Sequence, residues 1–207
     1  MVLDGVTGSG KTETYFEAVA EALKIGKQVL VLLPEIALTQ PFLQRFEARF
    51  GVEPATWHSG MKQSQRRRVW RGVAEGRAQV VAGARSALFL PFANPGLIVV
   101  DEAHEISFKQ EDGVRYHARD VAVMRGKFEG FPVVLASATP ALESRHMVSI
   151  GRYKGLEIPS RFGAAKLPRI EAIDLTQDQP ERGTWIAPTL LKALEERLER
   201  GEQSLLF

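Results

Sequence analysis

A glycine-rich run near the start of the chain has the residue types and spacing of a phosphate-binding loop. Positions 5 to 12 read Gly-Val-Thr-Gly-Ser-Gly-Lys-Thr, which fits the pattern G-x-x-x-x-G-K-[ST]. In such a loop, glycines let successive backbone N–H groups turn toward an anion at the positive end of the following helix. Lys11 adds charge for the β- and γ-phosphates of ATP, and Thr12 offers a hydroxyl to Mg²⁺. We assign the nucleotide contacts to Gly5, Val6, Thr7, Gly8, Ser9, Gly10, Lys11, Thr12 and Glu13.

An acidic pair at the end of an apolar run supplies the second half of this chemistry. Asp101 and Glu102 follow Leu-Ile-Val-Val at positions 97 to 100, and ligands of open α/β folds bind at the carboxyl ends of strands. We expect Asp101 to hold Mg²⁺ together with Thr12, and Glu102 to polarise the attacking water. Alone, the two motifs could be a glycine-rich turn and a solvated strand end. Their order and spacing favour a nucleoside-triphosphate site.

The elements that must position these residues alternate between apolar runs and amphipathic segments. This pattern predicts an α/β fold, with a mostly parallel sheet and helices on both of its faces. Helices are predicted at 11–25, 39–50, 62–75, 118–128, 141–150 and 188–200. Strands are predicted at 2–4, 28–33, 56–57, 79–82, 97–100, 133–136, 170–175 and 204–207.

Bulk composition limits the classes to which the chain can belong. Its 207 residues, 44% hydrophobic and 25% charged, are ordinary values for a globular domain with a sizeable core. The formal net charge of +2 is too small to argue for nucleic acid by itself. The absence of cysteine excludes a disulfide framework and a thiolate zinc site within these residues. No apolar run reaches the roughly 18 residues of a membrane span, so we expect no membrane partner and a cytoplasmic location.

Two short motifs resemble those of superfamily 2 helicases. Residues 101–104 read Asp-Glu-Ala-His, and residues 137–139 read Ser-Ala-Thr after a predicted strand; that superfamily has D-E-x-H and S-A-T motifs. The resemblance implies a RecA-like P-loop NTPase lobe in which the catalytic residues are Glu102, Asp101, Lys11 and His104. It also implies a polar relay from His104 to Ser137 and Thr139. Alternatively, Thr139 only caps the helix that follows.

Further stretches are similar to the replication-restart helicases of the PriA family, and they lie at 5–13, 33–39, 58–60, 84–89, 101–110, 115–120 and 137–143. This resemblance implies ATP-dependent, 3′-to-5′ unwinding of DNA in replication-fork restart and primosome assembly. The implied partners are forked or single-stranded DNA, a second helicase lobe of the same protein, and primosome proteins. We assign residues 1–160 to the first lobe, and residues 161–207 to a linker, a helix and a strand leading toward the second. We expect a piece of a longer protein, which would bind zinc outside these residues.

The resemblance also implies contacts to the DNA backbone at the ends of two strands, from Pro34, Glu35, Thr39, Arg85 and Ser86. A hydroxyl, an arginine and backbone amides suit phosphate contacts that carry no sequence information. The family commonly has threonine where this chain has Ala84, so one hydroxyl contact is missing. Alternatively, Pro34 and Glu35 are only a strand exit, and Thr39 is only a helix cap.

An aromatic-rich loop resembles the segment that links DNA binding to hydrolysis in PriA and RecQ helicases. Its predicted DNA contacts are Phe108, Lys109, Tyr116 and Arg119, because aromatic faces stack on unpaired bases and the basic residues supply charge. The alternative is that both aromatic rings pack the loop against the sheet. The basic run at 65–71 is interpreted as a solvated helix surface, with DNA contact as its less favoured alternative.

Two other functions remain open at this point. One is a double-stranded DNA translocase of the RecG or restriction type, which shares the same core motifs but lacks the aromatic-rich loop. The other is a nucleotide-binding module without turnover, because the transition-state arginine normally comes from across a lobe interface.

Overall fold

The computed structural model describes residues 1–34, 40–163 and 169–206. Its helices are α1 (Lys11–Lys24), α2 (Gln40–Phe50), α3 (Gln63–Ala74), α4 (Ala118–Glu129), α5 (Leu142–Ser149) and α6 (Pro188–Glu199). Its strands are β1 (Val2–Gly5), β2 (Gln28–Leu32), β3 (Ala55–Trp57), β4 (Val80–Gly83), β5 (Pro95–Val100), β6 (Lys109–Gln110), β7 (Tyr116–His117), β8 (Val133–Ser137) and β9 (Gly155–Ile158).

Within the described residues, seven strands form one sheet in the order β3-β4-β2-β5-β8-β1-β9. Every neighbouring pair in this sheet is parallel, and β6 and β7 form a separate antiparallel pair. The prediction of an α/β fold with a parallel sheet is therefore confirmed. The predicted elements of residues 1–150 are also present, with bounds that differ by at most two residues wherever the chain is described.

Both faces of the sheet are covered by helices. Successive side chains of each strand point to opposite faces, so each strand contributes to a buried cluster on both sides. Leu30 and Leu32 of β2 belong to one buried cluster, which also contains Ala122 of α4. Val29 belongs to the other cluster, together with Phe16 of α1. Burial on both faces explains why the strands read as continuous apolar runs.

The chain divides into two compact units, Met1–Ala165 and Lys166–Phe207. The predicted strands at 170–175 and 204–207 are wrong over their described residues, which are in turns or irregular structure. A strand is stable only when another strand pairs with its backbone, and no strand is found in the described part of the second unit. No helix among the described residues is long and apolar enough to cross a membrane.

The close packing of α4 against the sheet makes a stability prediction at Gly126. A Cβ atom at this position would clash with a Val133 methyl and lie 2.9 Å from the Phe131 carbonyl. We expect Gly126→Ala to lower the free energy of unfolding by about 1–3 kcal/mol, as measured by urea denaturation. Gly72→Ala is the matched helical control, since its Cβ would meet Ala78 at an ordinary 3.6 Å. It should raise stability by up to about 1 kcal/mol, and equal effects of the two changes would contradict the packing argument.

Candidate active site

The phosphate loop connects β1 to α1 and requires glycine for two different reasons. Gly8 and Gly10 have φ values of 79° and 89°, a left-handed conformation that side chains disfavour. At Gly5 the constraint is space, because an added Cβ would lie 2.6 Å from Ser9 Oγ. The loop therefore turns tightly into the amino terminus of α1.

The polar groups of this loop suit a phosphate ligand. Lys11 is buried, and its Nζ donates to the Gly5 carbonyl at 2.7 Å and to the Val6 carbonyl at 3.4 Å. The Ser9 hydroxyl is buried and has no hydrogen-bond partner among the described residues, which is uncommon for a buried polar atom. A buried ammonium, an unpartnered hydroxyl and a helix amino terminus are together the chemistry of an anion site. The residues therefore fit the phosphates of ATP.

Asp101 lies at the carboxyl end of β5 and is tied to the phosphate-loop helix by Tyr15. The Tyr15 hydroxyl donates to Asp101 Oδ2 at 2.9 Å, and the Glu102 N–H donates to Oδ1 at 2.9 Å. Burial raises the pKa of Asp101 above its usual value, and these two hydrogen bonds oppose the change. Burial and the neighbouring carboxylate raise the pKa of Tyr15 well above its usual value, so Tyr15 remains a donor at neutral pH.

The sequence analysis assigned no role to Tyr15. One signal was available: Tyr15 follows Lys11 by one helical turn, so both side chains occupy the same face of the helix. In the structure this face of α1 lies next to the acidic pair, because Tyr15 contacts Asp101.

The acidic pair, His104 and Ser137 meet because β5 and β8 are neighbours in the sheet. His104 Nδ1 lies 2.8 Å from Ser137 Oγ and 3.6 Å from Glu102 Oε2. Ser137 Oγ also accepts a hydrogen bond from the Thr139 N–H at 3.0 Å. Glu102 has a φ of 47°, a conformation that costs a non-glycine residue roughly 1–3 kcal/mol and clusters at functional sites. These contacts make the polar relay sterically possible.

The chain's donor set suits Mg²⁺ held mainly by water and phosphate oxygens. The described residues contain no group of three or more His, Cys, Asp or Glu side chains that could form an all-protein metal cage. Mg²⁺ is usually bound by one or two carboxylates together with substrate phosphates. Asp101 and the Thr12 hydroxyl match that requirement.

The described members of the predicted DNA-backbone set, Pro34, Arg85 and Ser86, occupy the same edge of the sheet. Pro34 is buried at the exit of β2, and Ser86 is exposed in a short 3₁₀ helix, Arg85–Phe89, that follows β4. Glu35 and Thr39 lie outside the described residues. The Arg85 guanidinium donates through Nη1 to the carbonyls of Ser107 and Lys109, at 3.0 Å and 2.7 Å. It therefore joins this turn to the aromatic-rich loop.

The structure corrects two assignments in that loop. Phe108 is 1% exposed and belongs to the core, so the prediction that its ring stacks on DNA bases is wrong. Arg119 is also buried, and its Nε donates to Asp120 at 3.0 Å, so it places no free charge at the surface of the loop. Lys109 is exposed, and Tyr116 is half-buried with its ring edge-on to that of Phe89. The alternative of aromatic packing against the sheet is correct for Phe108.

Comparison with known families matches residues 1–148 to the family described as DEAD/DEAH box helicase. Curated relatives include the replication restart protein PriA of Rickettsia felis, which is 45% identical over 206 residues, or 100% of this chain and 32% of the relative. PriA of Haemophilus influenzae is 46% identical over 206 residues, covering 100% of this chain and 28% of the relative. PriA of Bacillus subtilis is 41% identical over 207 residues, covering 100% of this chain and 26% of the relative. The chain thus spans about a third or less of the length of these relatives.

Solved structures give the same fold at lower identity. RecG bound to a three-way DNA junction has a TM-score of 0.61 at 18% identity, covering 97% of this chain and 25% of RecG. The helicase MrfA bound to DNA has a TM-score of 0.54 at 20% identity, covering 78% of this chain and 25% of MrfA. These likenesses confirm the RecA-like lobe.

The hydrogen bond between Tyr15 and Asp101 can be tested through pH. In Tyr15→Phe the bond is lost, and because it lowers the pKa of Asp101, the carboxyl should keep its proton to higher pH. As the pH is lowered, the affinity for Mg-ADP should therefore begin to fall at a higher pH in Tyr15→Phe than in the wild type. Calorimetric titration across an acidic pH series measures this. Tyr153→Phe, outside the site, is the matched control and should leave the profile unchanged. Identical profiles for Tyr15→Phe and wild type would contradict the role of Tyr15.

The link from Arg85 to the aromatic-rich loop gives a second test. Arg85→Gln removes the hydrogen bonds to two loop carbonyls, so amide hydrogen exchange should become faster within residues 107–117. Hydrogen–deuterium exchange read by mass spectrometry measures this directly. Arg115→Gln, the same charge change at an exposed position of that loop, is the control. Unchanged exchange in Arg85→Gln would show that the contact does not order the loop.

Proposed function

This chain belongs to the DEAD/DEAH box helicase family, and from that premise we propose that it forms the first ATP-binding lobe of a replication-restart DNA helicase of the PriA type. The observation that carries the proposal is a row of side-chain contacts along one edge of the sheet. Tyr15 joins the phosphate-loop helix to Asp101 at 2.9 Å, and His104 joins the acidic motif to Ser137 at 2.8 Å.

The named relatives support the finer part of the proposal. PriA proteins from several bacteria are 41–46% identical over the whole of this chain, whereas the likeness to RecG is one of fold. The 3′-to-5′ direction and the primosome partners follow from the family resemblance and are part of the proposal, as is the cytoplasmic site of action expected from the sequence. So is a second lobe, since this chain spans only part of each relative.

Each residue of the site has a distinct task in ATP hydrolysis. The loop amides and the Lys11 ammonium bind the phosphates, for which Lys11 exchanges its contacts with the Gly5 and Val6 carbonyls for phosphate oxygens. Thr12 and Asp101 are the residues that would hold Mg²⁺, which neutralises charge on the phosphates when bound. Glu102 orients the attacking water. Catalysis of this kind consists almost entirely of positioning and charge stabilisation.

The contact between His104 and Ser137 is the proposed link from hydrolysis to DNA. His104 lies beside the catalytic carboxylates that follow β5. Ser137 is the last residue of β8, and its hydroxyl accepts a hydrogen bond from the Thr139 N–H. A shift of Glu102 or of its neighbours on nucleotide binding would move His104, and with it Ser137 and Thr139. Lys109 and Tyr116 complete the proposed DNA side through the loop that Arg85 anchors.

Mg-ADP binding tests the phosphate-loop assignment. We expect Lys11→Ala to weaken Mg-ADP binding about 10- to 100-fold, as expected when a charged hydrogen bond is lost. Lys24→Ala is the matched control, because Lys24 lies on the same helix but is exposed and pairs with Glu21. It should bind as the wild type does. Equal binding by Lys11→Ala and wild type would contradict the phosphate-loop assignment.

ATP turnover, measured with and without DNA, separates the proposed function from the two alternatives. The 207-residue chain should bind nucleotide yet show negligible turnover with forked DNA, because a lobe interface normally supplies the transition-state arginine. In the longer protein, forks and 3′-tailed DNA should stimulate turnover more than fully paired duplex. Preference for paired duplex would indicate a translocase of the RecG type. Robust DNA-stimulated hydrolysis by the chain alone would contradict the two-lobe account.

A further inference from the structure

One side of α3 carries an arginine–tryptophan face, defined as Gln63, Arg66, Arg67, Trp70 and Arg71. Residues three and four apart are neighbours on a helix, so these five side chains share one side. The helix buries Gly72 and Val73 elsewhere on its surface. The face is therefore one continuous surface and not a charge run spread around the helix.

The base of this face is fixed by contacts to the end of the neighbouring strand. The Arg66 guanidinium lies over the ring of Trp57, 4.7 Å from its centroid, and Trp57 is only 8% exposed. The indole Nε1 of Trp57 donates to Ser86 Oγ at 3.1 Å. Ser86 is one of the proposed DNA-backbone contacts, so the arginine–tryptophan face adjoins the proposed DNA site directly.

The outer part of the face combines free positive charge with an open aromatic ring. Trp70 is 49% exposed, and it borders a recess of about 350 Å³ together with Trp57 and the three arginines. No salt bridge among the described residues involves Arg66, Arg67 or Arg71. Aromatic stacking surfaces surrounded by positive charge bind single-stranded nucleic acid without sequence preference.

The order of the strands gives this face its place relative to the DNA site. Parallel strands end at one edge of the sheet, where β2 leads to Pro34, β4 leads to Ser86, and β3 ends at Trp57. The first turns of α3 follow β3 at that edge. A single strand of DNA that passes Pro34 and Ser86 would therefore reach Arg66 and Trp70 next.

We propose that the arginine–tryptophan face binds single-stranded DNA, with Trp70 stacking on a base and with Arg67 and Arg71 contacting phosphates. The inference rests on the proposed function, because it extends the proposed DNA path across β3 and α3. The excess charge of α3 and its half-exposed tryptophan then have a common purpose.

The test is binding of a fluorescent oligothymidylate to the 207-residue chain, followed by anisotropy over a series of salt concentrations. Trp70→Ala should weaken binding about tenfold, as loss of one stacked base predicts. The double variant Arg67→Gln/Arg71→Gln should reduce the slope of log affinity against log salt by about 1.4, or about 0.7 for each lost phosphate contact. Trp70 is half-exposed. The double variant leaves Trp70 in place, so it tests the arginines of the face separately from the ring.

Arg68→Gln is the matched control, since Arg68 is exposed on the same helix but outside the arginine–tryptophan face. It should change neither the affinity nor the slope. Variants of the face that bind as the wild type does, or a control that loses as much as they do, would overturn the inference. Equal loss by Trp70→Ala on a blunt duplex of the same length would overturn the stacking role.

The results also separate this inference from the proposed function. If the wild type binds oligothymidylate and the variants of the face bind equally well, only the role of α3 fails. If the wild type binds Mg-ADP but no DNA, both the inference and the proposed DNA function are contradicted. Circular dichroism of each variant confirms that the helix is retained.

Discussion

The parallel pairing of the sheet is the constraint on which every proposed contact depends. Because the seven strands run in one direction, the chain leaves each strand at the same edge. The phosphate loop after β1, Ser137 on β8, the acidic pair after β5 and Ser86 after β4 are therefore neighbours, although they are far apart in sequence. Apolar side chains buried on both faces hold this order. Nucleotide and nucleic acid are thus proposed to bind along a single edge.

Hydrogen bonds connect separate elements at the nucleotide end of this edge. Tyr15 ties α1 to Asp101, and His104 ties the acidic motif to Ser137. The positive φ of Glu102 stores strain that these surroundings must support. Because His104 contacts Ser137 directly, we expect a displacement at the acidic motif to reach Ser137. The geometry therefore favours a site in which nucleotide state and DNA contact depend on each other.

The sequence predicted much of the fold, because periodic segments bounded by glycine or proline define helices well. The edge strand β9 was missed, since Gly155–Ile158 is short and mostly exposed and lacks an apolar run. The phosphate loop and the acidic pair were predicted from residue type and spacing, whereas His104 and Ser137 were implied by the resemblance to superfamily 2 helicases. The structure brings Asp101, Glu102, His104 and Ser137 together. The role of Tyr15 was missed, and Phe108 was misjudged, for one reason. Whether an aromatic ring is buried, and which polar atom its hydroxyl meets, depends on tertiary packing that local sequence does not encode.

The most direct test of a single coupled edge is reciprocal binding. The affinity for single-stranded DNA would be measured with and without a saturating Mg-nucleotide, and the nucleotide affinity with and without saturating DNA. The account predicts that each ligand changes the affinity of the other by the same factor, as linkage requires, and that this factor approaches one in Ser137→Ala. Independent binding of the two ligands to the wild-type protein, or full coupling in Ser137→Ala, would contradict it.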